Sequence, residues 1–117
     1  MERKEKKVYL SDPCTGRDED ERDATFQIWE SFFEVNGLSV FNPRKNGLPR
    51  SCSWQEHMRK DIAELCGCDF LVRLSGYTSP GVKFEEDVAE MLGIKIIYYD
   101  EIERCGEDKS KFDYLFT

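Results

Sequence analysis

Four short apolar runs alternate with three longer amphipathic segments, and this alternation restricts the fold more than any other feature of the sequence. The runs are VYLS (8–11), LSVFNP (38–43), FLVRL (70–74) and IKIIYY (94–99). Short runs of this composition, bounded by turn residues, are typical of strands. Strands that alternate with helices predict a three-layer α/β sandwich with a mostly parallel sheet of four or five strands. The fifth strand would be the C-terminal FDYLFT (112–117), which is otherwise expected to be a docking segment.

The segments between the runs carry signals for helix ends. RDEDERD opens the first helix, and its apolar positions recur at helical spacing at Ala24, Ile28, Phe32 and Val35. Ser53 followed by Glu56 predicts a capping box for a second helix. Ser79 with Pro80 at the next position predicts the start of a third, which Gly93 ends.

Length, charge and composition exclude several classes of partner. The 117 residues predict a single domain over 1–117, with 1–6 as a flexible tail. A net charge of −7 argues against a nucleic acid polymer, although a helix N-terminus can hold one small anion. No apolar run approaches the roughly 18 residues that span a bilayer. Five cysteines without an export signal favour reduced thiols in the cytoplasm, and Cys66-x-Cys68 has no second pair to complete a zinc site.

Two helices each turn one carboxylate toward their apolar side. On the helix from Pro80, Glu85 falls between Leu92 and Ala89, in the middle of the apolar face. On the helix from Ser53, Asp61 falls on the flank of a stripe formed by Trp54, Met58, Ile62 and Leu65. In a purely structural interpretation, each acid caps a backbone amide or pairs with an arginine. Two such acids beside strand-end loops rich in Gly, Pro, Ser and Asn favour a functional cleft instead.

A pair of carboxylates can divide the work of breaking a glycosidic bond. One attacks or stabilises the cationic sugar carbon, and the other manages the proton or the orientation of the substrate. Further candidates are weaker. His57 is the single histidine and lies one turn before Asp61, and the loop cations Arg44, Lys45 and Arg50 could bind an anion.

Three segments in this order resemble the nucleoside 2-deoxyribosyltransferase-like superfamily, and most of all its DUF4406 branch. They are VYLS with the following P and TG, SWQEHMRKDIAELCGCDFLVRLSGY, and SPGVKFEEDVAEMLGIKIIYY. The resemblance covers roughly residues 7 to 99 and implies a flavodoxin-like (Rossmann-like) fold and assembly as a homodimer or higher homo-oligomer. It also implies activity on a nucleoside or nucleotide without a metal or organic cofactor.

The resemblance assigns catalytic roles by position. GVKFE places Glu85 where the family has its nucleophile, and the family's conserved aspartate in the preceding helix matches Asp61. Tyr9 matches the tyrosine that orients the nucleophile. Ser79 matches a serine that touches phosphate in the 2′-deoxynucleoside 5′-monophosphate N-glycosidases, whereas the transferases have an aspartate there.

The remaining candidates for substrate binding lie in the loops. They are Ser11, Asp12, Tyr77, Gly81 and Arg44. Asp12 departs from the family, which usually has a glycine in this loop. A carboxylate there would repel a phosphate and lacks the conformational freedom of glycine. It could instead contact a ribose hydroxyl or a base amine, or signal lost activity.

The leading hypothesis is therefore an N-glycosidase or N-glycosyltransferase that cleaves the base–sugar bond of a nucleoside or its 5′-monophosphate through Glu85. The alternative is a nucleotide-binding or sensing module that retains the pocket without turnover, which Asp12 favours. A structural accessory protein with salt-bridged acids is the third possibility.

Overall fold

The computed structural model describes residues 5–13 and 18–117. Their four strands form one parallel sheet in the order β2-β1-β3-β4. The strands are β1 (Lys7–Ser11), β2 (Ser39–Phe41), β3 (Phe70–Arg73) and β4 (Lys95–Tyr98). The parallel α/β sheet predicted from the alternation is confirmed, with four strands in the described part of the chain.

Five α-helices and one 3-10 turn connect and follow the strands. They are α1 (Glu19–Val35), the 3-10 turn Pro43–Lys45, α2 (Trp54–Leu65), α3 (Pro80–Met91), α4 (Tyr99–Cys105) and α5 (Lys109–Leu115). The predicted capping box of α2 forms, since the Ser53 side chain accepts from the Glu56 N–H and the Glu56 carboxylate accepts from the Ser53 N–H. Ser79 caps α3, as the sequence predicts.

Each face of the sheet has its own apolar core. On one face, α1, α4 and α5 cover a cluster that includes Phe26, Phe33, Val72 and Ile97. On the other, α2 and α3 cover a smaller cluster that includes Tyr9, Leu65, Leu71 and Ala89. This is a three-layer sandwich of the flavodoxin-like kind, in which the strand order reverses between β1 and β3.

The predicted apolar stripe of α1 is wrong in its phase. Ile28 and Val35 are 68% and 87% exposed, whereas the buried face is formed by Arg22, Phe26 and Phe33. The helix carries apolar residues on two faces, and the face with Phe26 and Phe33 packs against the sheet. Arg22, from the charged stretch RDEDERD that opens the helix, is buried there.

The outer positions of α2 and α3 also differ from the prediction. Leu92, expected on the apolar face of the third helix, is exposed together with Phe84 and Met91, because only the arc of Val82, Glu85 and Ala89 reaches the sheet. Trp54, expected in the apolar stripe of α2, is 55% exposed.

The C-terminal segment is a helix and not a fifth strand. Within α5 and just beyond it, Phe112 and Phe116 insert into the core under α1, where Phe116 packs edge-on against Phe33 and Phe70. β4 therefore remains the sheet edge, and of its residues Ile97 alone is buried. The helix α4, at Tyr99, begins where the sequence suggested that the strand continued.

Of the segment expected as a flexible tail, residues 1–4 lie outside the described residues. The Lys6 carbonyl accepts a hydrogen bond from the Ser39 N–H, which extends the pairing of β1 with β2. No helix in the described ranges is long and apolar enough to cross a membrane.

Candidate active site

The carboxyl ends of β1 and β3 lie side by side at the point where the strand order reverses. Ser11 is opposite Arg73 in the register, so the segments that follow the two strands meet at this edge. α2 and α3 cover the same face of the sheet, and Gly81 at the start of α3 lies beside Trp54 and Met58 of α2. Crevices at such switch points are where open α/β sheets bind ligands.

Glu85 is buried at this edge by the geometry of α3. It is 6% exposed and accepts two hydrogen bonds from β1, one from the Tyr9 hydroxyl to Oε2 and one of 2.9 Å from Ser11 Oγ to Oε1. Tyr9 is held in turn by stacking on Phe41, with ring centroids 5.4 Å apart. The contact that the resemblance implies between Tyr9 and Glu85 is therefore present, and Ser11 adds a second donor.

Burial raises the pKa of Glu85 to about 7. The hydrogen bonds from Tyr9 and Ser11 and the charge of Arg73 act in the opposite direction, because each favours the charged carboxylate. The charge of Asp61 raises the pKa further, which places this second acid within electrostatic reach of Glu85. At neutral pH the carboxyl is poised between its two forms, as proton-transfer sites require.

Asp61 is the second buried acid, projecting inward from α2 at 7% exposure. Its Oδ1 accepts a 2.9 Å hydrogen bond from the Asn46 amide, and the same amide lies 3.1 Å from His57 Nδ1. Burial raises the pKa of Asp61, while the bond from Asn46 and the charge of His57 lower it.

Sequence reasoning missed Asn46, although it is buried and contacts Asp61 directly. Its own Oδ1 accepts from the Leu48 N–H at 3.0 Å, which fixes the amide orientation. Gly47 follows in the left-handed region with φ of 87°, so Asn-Gly makes a turn that returns the chain toward α2. The available signal was an Asn-Gly turn in a loop after a strand end.

The first turn of α3 contains Ser79 and Gly81. Ser79 Oγ accepts from the Val82 N–H at 3.2 Å, which leaves the hydroxyl proton available to a ligand. The Gly81 N–H donates to no group in the described part of the chain. A Cβ at Gly81 would lie 3.5 Å from Met58 Sδ, an ordinary contact, so this glycine lets α3 approach α2 without being required there.

Asp12 is 4% exposed at the end of β1 and accepts a hydrogen bond from Ser75 Oγ. The carboxylate thus joins the β1 loop to the loop between β3 and α3. Tyr77 lies in that second loop with its side chain 63% exposed. These two predicted binding residues flank the Glu85 edge from neighbouring loops.

Arg44 lies apart from the two acids. Its Nε donates to Asp23 Oδ1 at 2.7 Å, and Arg50 reaches the other Asp23 oxygen at 2.9 Å. These pairs lower the pKa of Asp23 and tie the loop after β2 to α1. Lys45 pairs with Glu30 in the same way. The cations proposed from sequence for anion binding therefore also hold this loop.

Two surface cavities lie away from the acid pair. One of about 450 Å³ is lined by Glu101, Arg104, Cys105, Ser110, Lys111, Tyr114 and Leu115. The other, of about 560 Å³, is lined by Glu5, Lys6, Asn36, Gly37, Leu38, Phe112, Asp113, Phe116 and Thr117. Neither includes a predicted site residue. In the described ranges, no three His, Cys, Asp or Glu side chains are grouped as metal ligands.

Comparisons with known proteins agree on the architecture. A family model described as a domain of unknown function (DUF4406) matches residues 6–98. Among solved structures, the chain is similar to a CMP N-glycosidase, BcmB, of Clostridium botulinum. The TM-score is 0.58 and the sequence identity 20%, with 94% of each chain covered. No curated protein matches. At this identity the likeness shows a shared fold.

Proposed function

The chain belongs to the DUF4406 family, and from this premise we propose that it is an N-glycosidase acting on a nucleoside or its 5′-monophosphate. The observation that carries the proposal is the buried Glu85 carboxyl, which receives hydrogen bonds from Tyr9 and Ser11 within electrostatic reach of Asp61. A carboxylate held by two donors is oriented for attack, and no arginine of the described residues forms an ion pair with it. The similarity to a CMP N-glycosidase adds support for the class of substrate.

In the proposed reaction, ionised Glu85 attacks C1′ of the sugar. A bond forms between the carboxylate oxygen and C1′, and the bond from C1′ to the base nitrogen breaks with its electron pair on the base. Asp61 gives the departing base a proton, which its raised pKa favours. Water then attacks C1′, the bond to Glu85 breaks, and the proton of the water returns to Asp61.

Tyr9 and Ser11 have a double role in this scheme. Their hydrogen bonds fix the two oxygens of Glu85, and they keep the acid ionisable despite its burial. Asn46 does the same for Asp61 through its amide. Glu85 is therefore held by donors from β1, and Asp61 by a donor from the loop after β2. Fixed side chains of this kind keep the reacting atoms in the orientation that attack requires.

The far end of the substrate is assigned to the first turn of α3. The Gly81 N–H and the Ser79 hydroxyl proton are donors at a helix N-terminus, where an anion is favoured. Asp12 opposes a phosphate at the adjacent β1 loop. We therefore expect the rate of base release to differ between a nucleoside and its monophosphate. The monophosphate is the better substrate if its 5′ end faces the first turn of α3, and the worse one if its 5′ end faces Asp12.

The test measures the free base released from a panel of ribo- and deoxyribonucleosides and their monophosphates, including CMP. Chromatography separates and quantifies the released base. Glu85→Gln keeps the size and hydrogen-bonding capacity of the side chain but cannot attack C1′, so we expect base release to fall at least 10³-fold, on the order of a lost nucleophile. Glu90→Gln, an exposed acid on the same helix, is the matched control and should retain full activity. Release that is equal in the two variants would contradict the assignment.

The binding-module alternative predicts a different pattern in the same panel. A nucleotide that raises the melting temperature without releasing base would identify a module without turnover. The Asp12–Ser75 contact favours this alternative, because it fixes a buried carboxylate in the loop after β1, where a glycine would let the substrate approach the backbone.

We further propose that the protein is a homodimer that associates through the outer face of α3. Phe84 and Met91, about two turns apart on that helix, are 49% and 85% exposed. Arg59 on α2 and Asp87 on α3 are exposed and form no ion pair within the described ranges. Around a twofold axis, Arg59 of each copy can face Asp87 of the other. The charge pattern is therefore self-complementary.

Sedimentation equilibrium tests this assembly. Met91→Glu should shift the protein toward monomer, whereas Val35→Glu, at an equally exposed position on the opposite layer, should leave the mass unchanged. A wild-type monomer, or a dimer that only the Val35 change disrupts, would contradict the proposed face.

A further inference from the structure

A guanidinium is buried at the carboxyl end of β3, within the otherwise apolar run FLVRL. Arg73 is 5% exposed and lies between Ser11 of β1 and Tyr98 of β4 in the sheet register. Burying a cation in a sheet costs several kcal/mol unless it is paired, so its contacts require a reason. The strand itself has no structural need for a charge at this position.

The contacts of Arg73 tie three elements together. Nη1 forms an ion pair of 3.1 Å with Glu86 of α3, and Nη2 donates to the backbone carbonyls of Ser75 and Tyr77. The guanidinium carbon lies 6.0 Å from the ring centroid of Tyr98. The Tyr98 hydroxyl donates to the second Glu86 oxygen at 3.1 Å, so the ion pair is closed from the β4 side.

This cluster bears directly on the neighbouring acid. Glu86 follows Glu85 on α3, and fixing one side chain fixes the rotation of the helix that directs the other toward Tyr9 and Ser11. The carbonyls that Arg73 holds belong to the loop that ends at the α3 cap, Ser79. The bond from Ser75 to Asp12 is a further anchor of this loop.

We propose that Arg73 is a positioning residue of the acid site, which holds the β3–α3 loop and the rotation of α3 so that Glu85 faces β1. The inference deepens the proposed function, but its central measurements need no substrate. Among the described residues, the groups that act on the pKa of Glu85 are Tyr9 and Ser11 on β1, Asp61 on α2 and Arg73 on β3. Arg73 is the cation of this described set and lowers the pKa of Glu85.

The experiment compares Arg73→Met and Arg73→Lys with Arg104→Met in the full chain. Methionine keeps an unbranched apolar stem without charge, and lysine keeps the charge without the planar fork that reaches Glu86 and two carbonyls. Arg104 is a surface arginine whose ion pair with Asp100 is 3.9 Å long and well exposed, so its replacement is the control.

The first measurement is the ¹³C titration of the Glu85 carboxyl, identified by its loss in Glu85→Gln. Arg73→Met should move the midpoint upward, and Arg104→Met should not move it. The second is hydrogen exchange of a peptide over 74–82, which we expect to be about tenfold faster in both Arg73 variants, because the carbonyl clamp is lost in each. The lysine variant keeps the test decisive if the methionine variant does not fold.

An unchanged Glu85 midpoint in Arg73→Met together with unchanged exchange in Arg73→Lys would overturn the inference, since a merely structural ion pair would lower only the melting temperature. If both measurements shift while the wild type releases no base from any panel member, the positioning role stands and the proposed function fails. If the wild type releases base and the Arg73 variants have the same pH profile as Arg104→Met, the proposed function stands and the positioning role fails.

Discussion

The raised pKa of Glu85 makes the stability of the fold depend on pH in a way that one substitution should remove. The folded state holds the proton with a pKa of about 7, whereas the unfolded chain has the ordinary value of 4.5. Protonation therefore stabilises the native state fully below the unfolded pKa, and this contribution is lost as pH rises through about 7. At 1.36 kcal/mol per pKa unit, the loss amounts to about 3 kcal/mol.

Glu85→Gln mimics the protonated acid, because its amide can still pair with Tyr9 and Ser11 but never ionises. We expect the unfolding free energy of the variant minus that of the wild type to increase by about 3 kcal/mol between about pH 4.5 and 8. Asp61 is present in both proteins, so its own titration largely cancels.

Urea denaturation at half-unit steps of pH measures this difference, with Glu90→Gln as the exposed control on the same helix. The control difference should stay within about 0.5 kcal/mol at every pH, as for ordinary surface changes. If the Glu85→Gln difference is equally flat, the carboxyl is not perturbed by burial in solution. The carboxyl would then be fully ionised at neutral pH and not poised between its two forms.

Three further outcomes follow from the packing and the hydrogen bonds. Phe116→Ala should lower the unfolding free energy by about 3–5 kcal/mol, because Phe116 is buried, and Ile28→Ala by under about 1 kcal/mol, because Ile28 is exposed. Urea denaturation measures both values, and equal losses in the two variants would contradict this packing. Asn46→Ala should raise the pKa of Asp61, because the donor that favours the charged carboxylate is lost; a ¹³C titration of that carboxyl checks it, and a lowered midpoint would refute it. Gly81→Ala should leave stability equal or up to about 1 kcal/mol higher, since its Cβ meets only ordinary contacts. If base release then drops while melting temperature does not, the glycine serves the substrate.

Some features of the site are local in origin and could be predicted. The capping signals Ser53-x-x-Glu56 and Ser79-Pro80 set the start of α2 and α3, and from those starts the period of 3.6 residues determines which acid points inward. Glu85 and Asp61 are buried for that reason. Their assigned chemical roles remain predictions.

The groups that complete the site depend on long-range contacts. Asn46 reaches Asp61 from a loop 15 residues away in the sequence, and Ser11 reaches Glu85 across 74. Arg73 could be noticed as a charge inside an apolar run, but its partners depend on where the β3–α3 loop lies.

The sequence by itself determined the parallel α/β architecture, the helix starts and the inward direction of the two acids, because periodicity and capping act over a few residues. Only the tertiary structure decided which of the two apolar faces of α1 packs inward, and that the last seven helical residues insert Phe112 into the core instead of forming a strand. Those choices depend on the space left between a helix and the sheet. That space is set by strand order and crossover geometry, which no local pattern encodes.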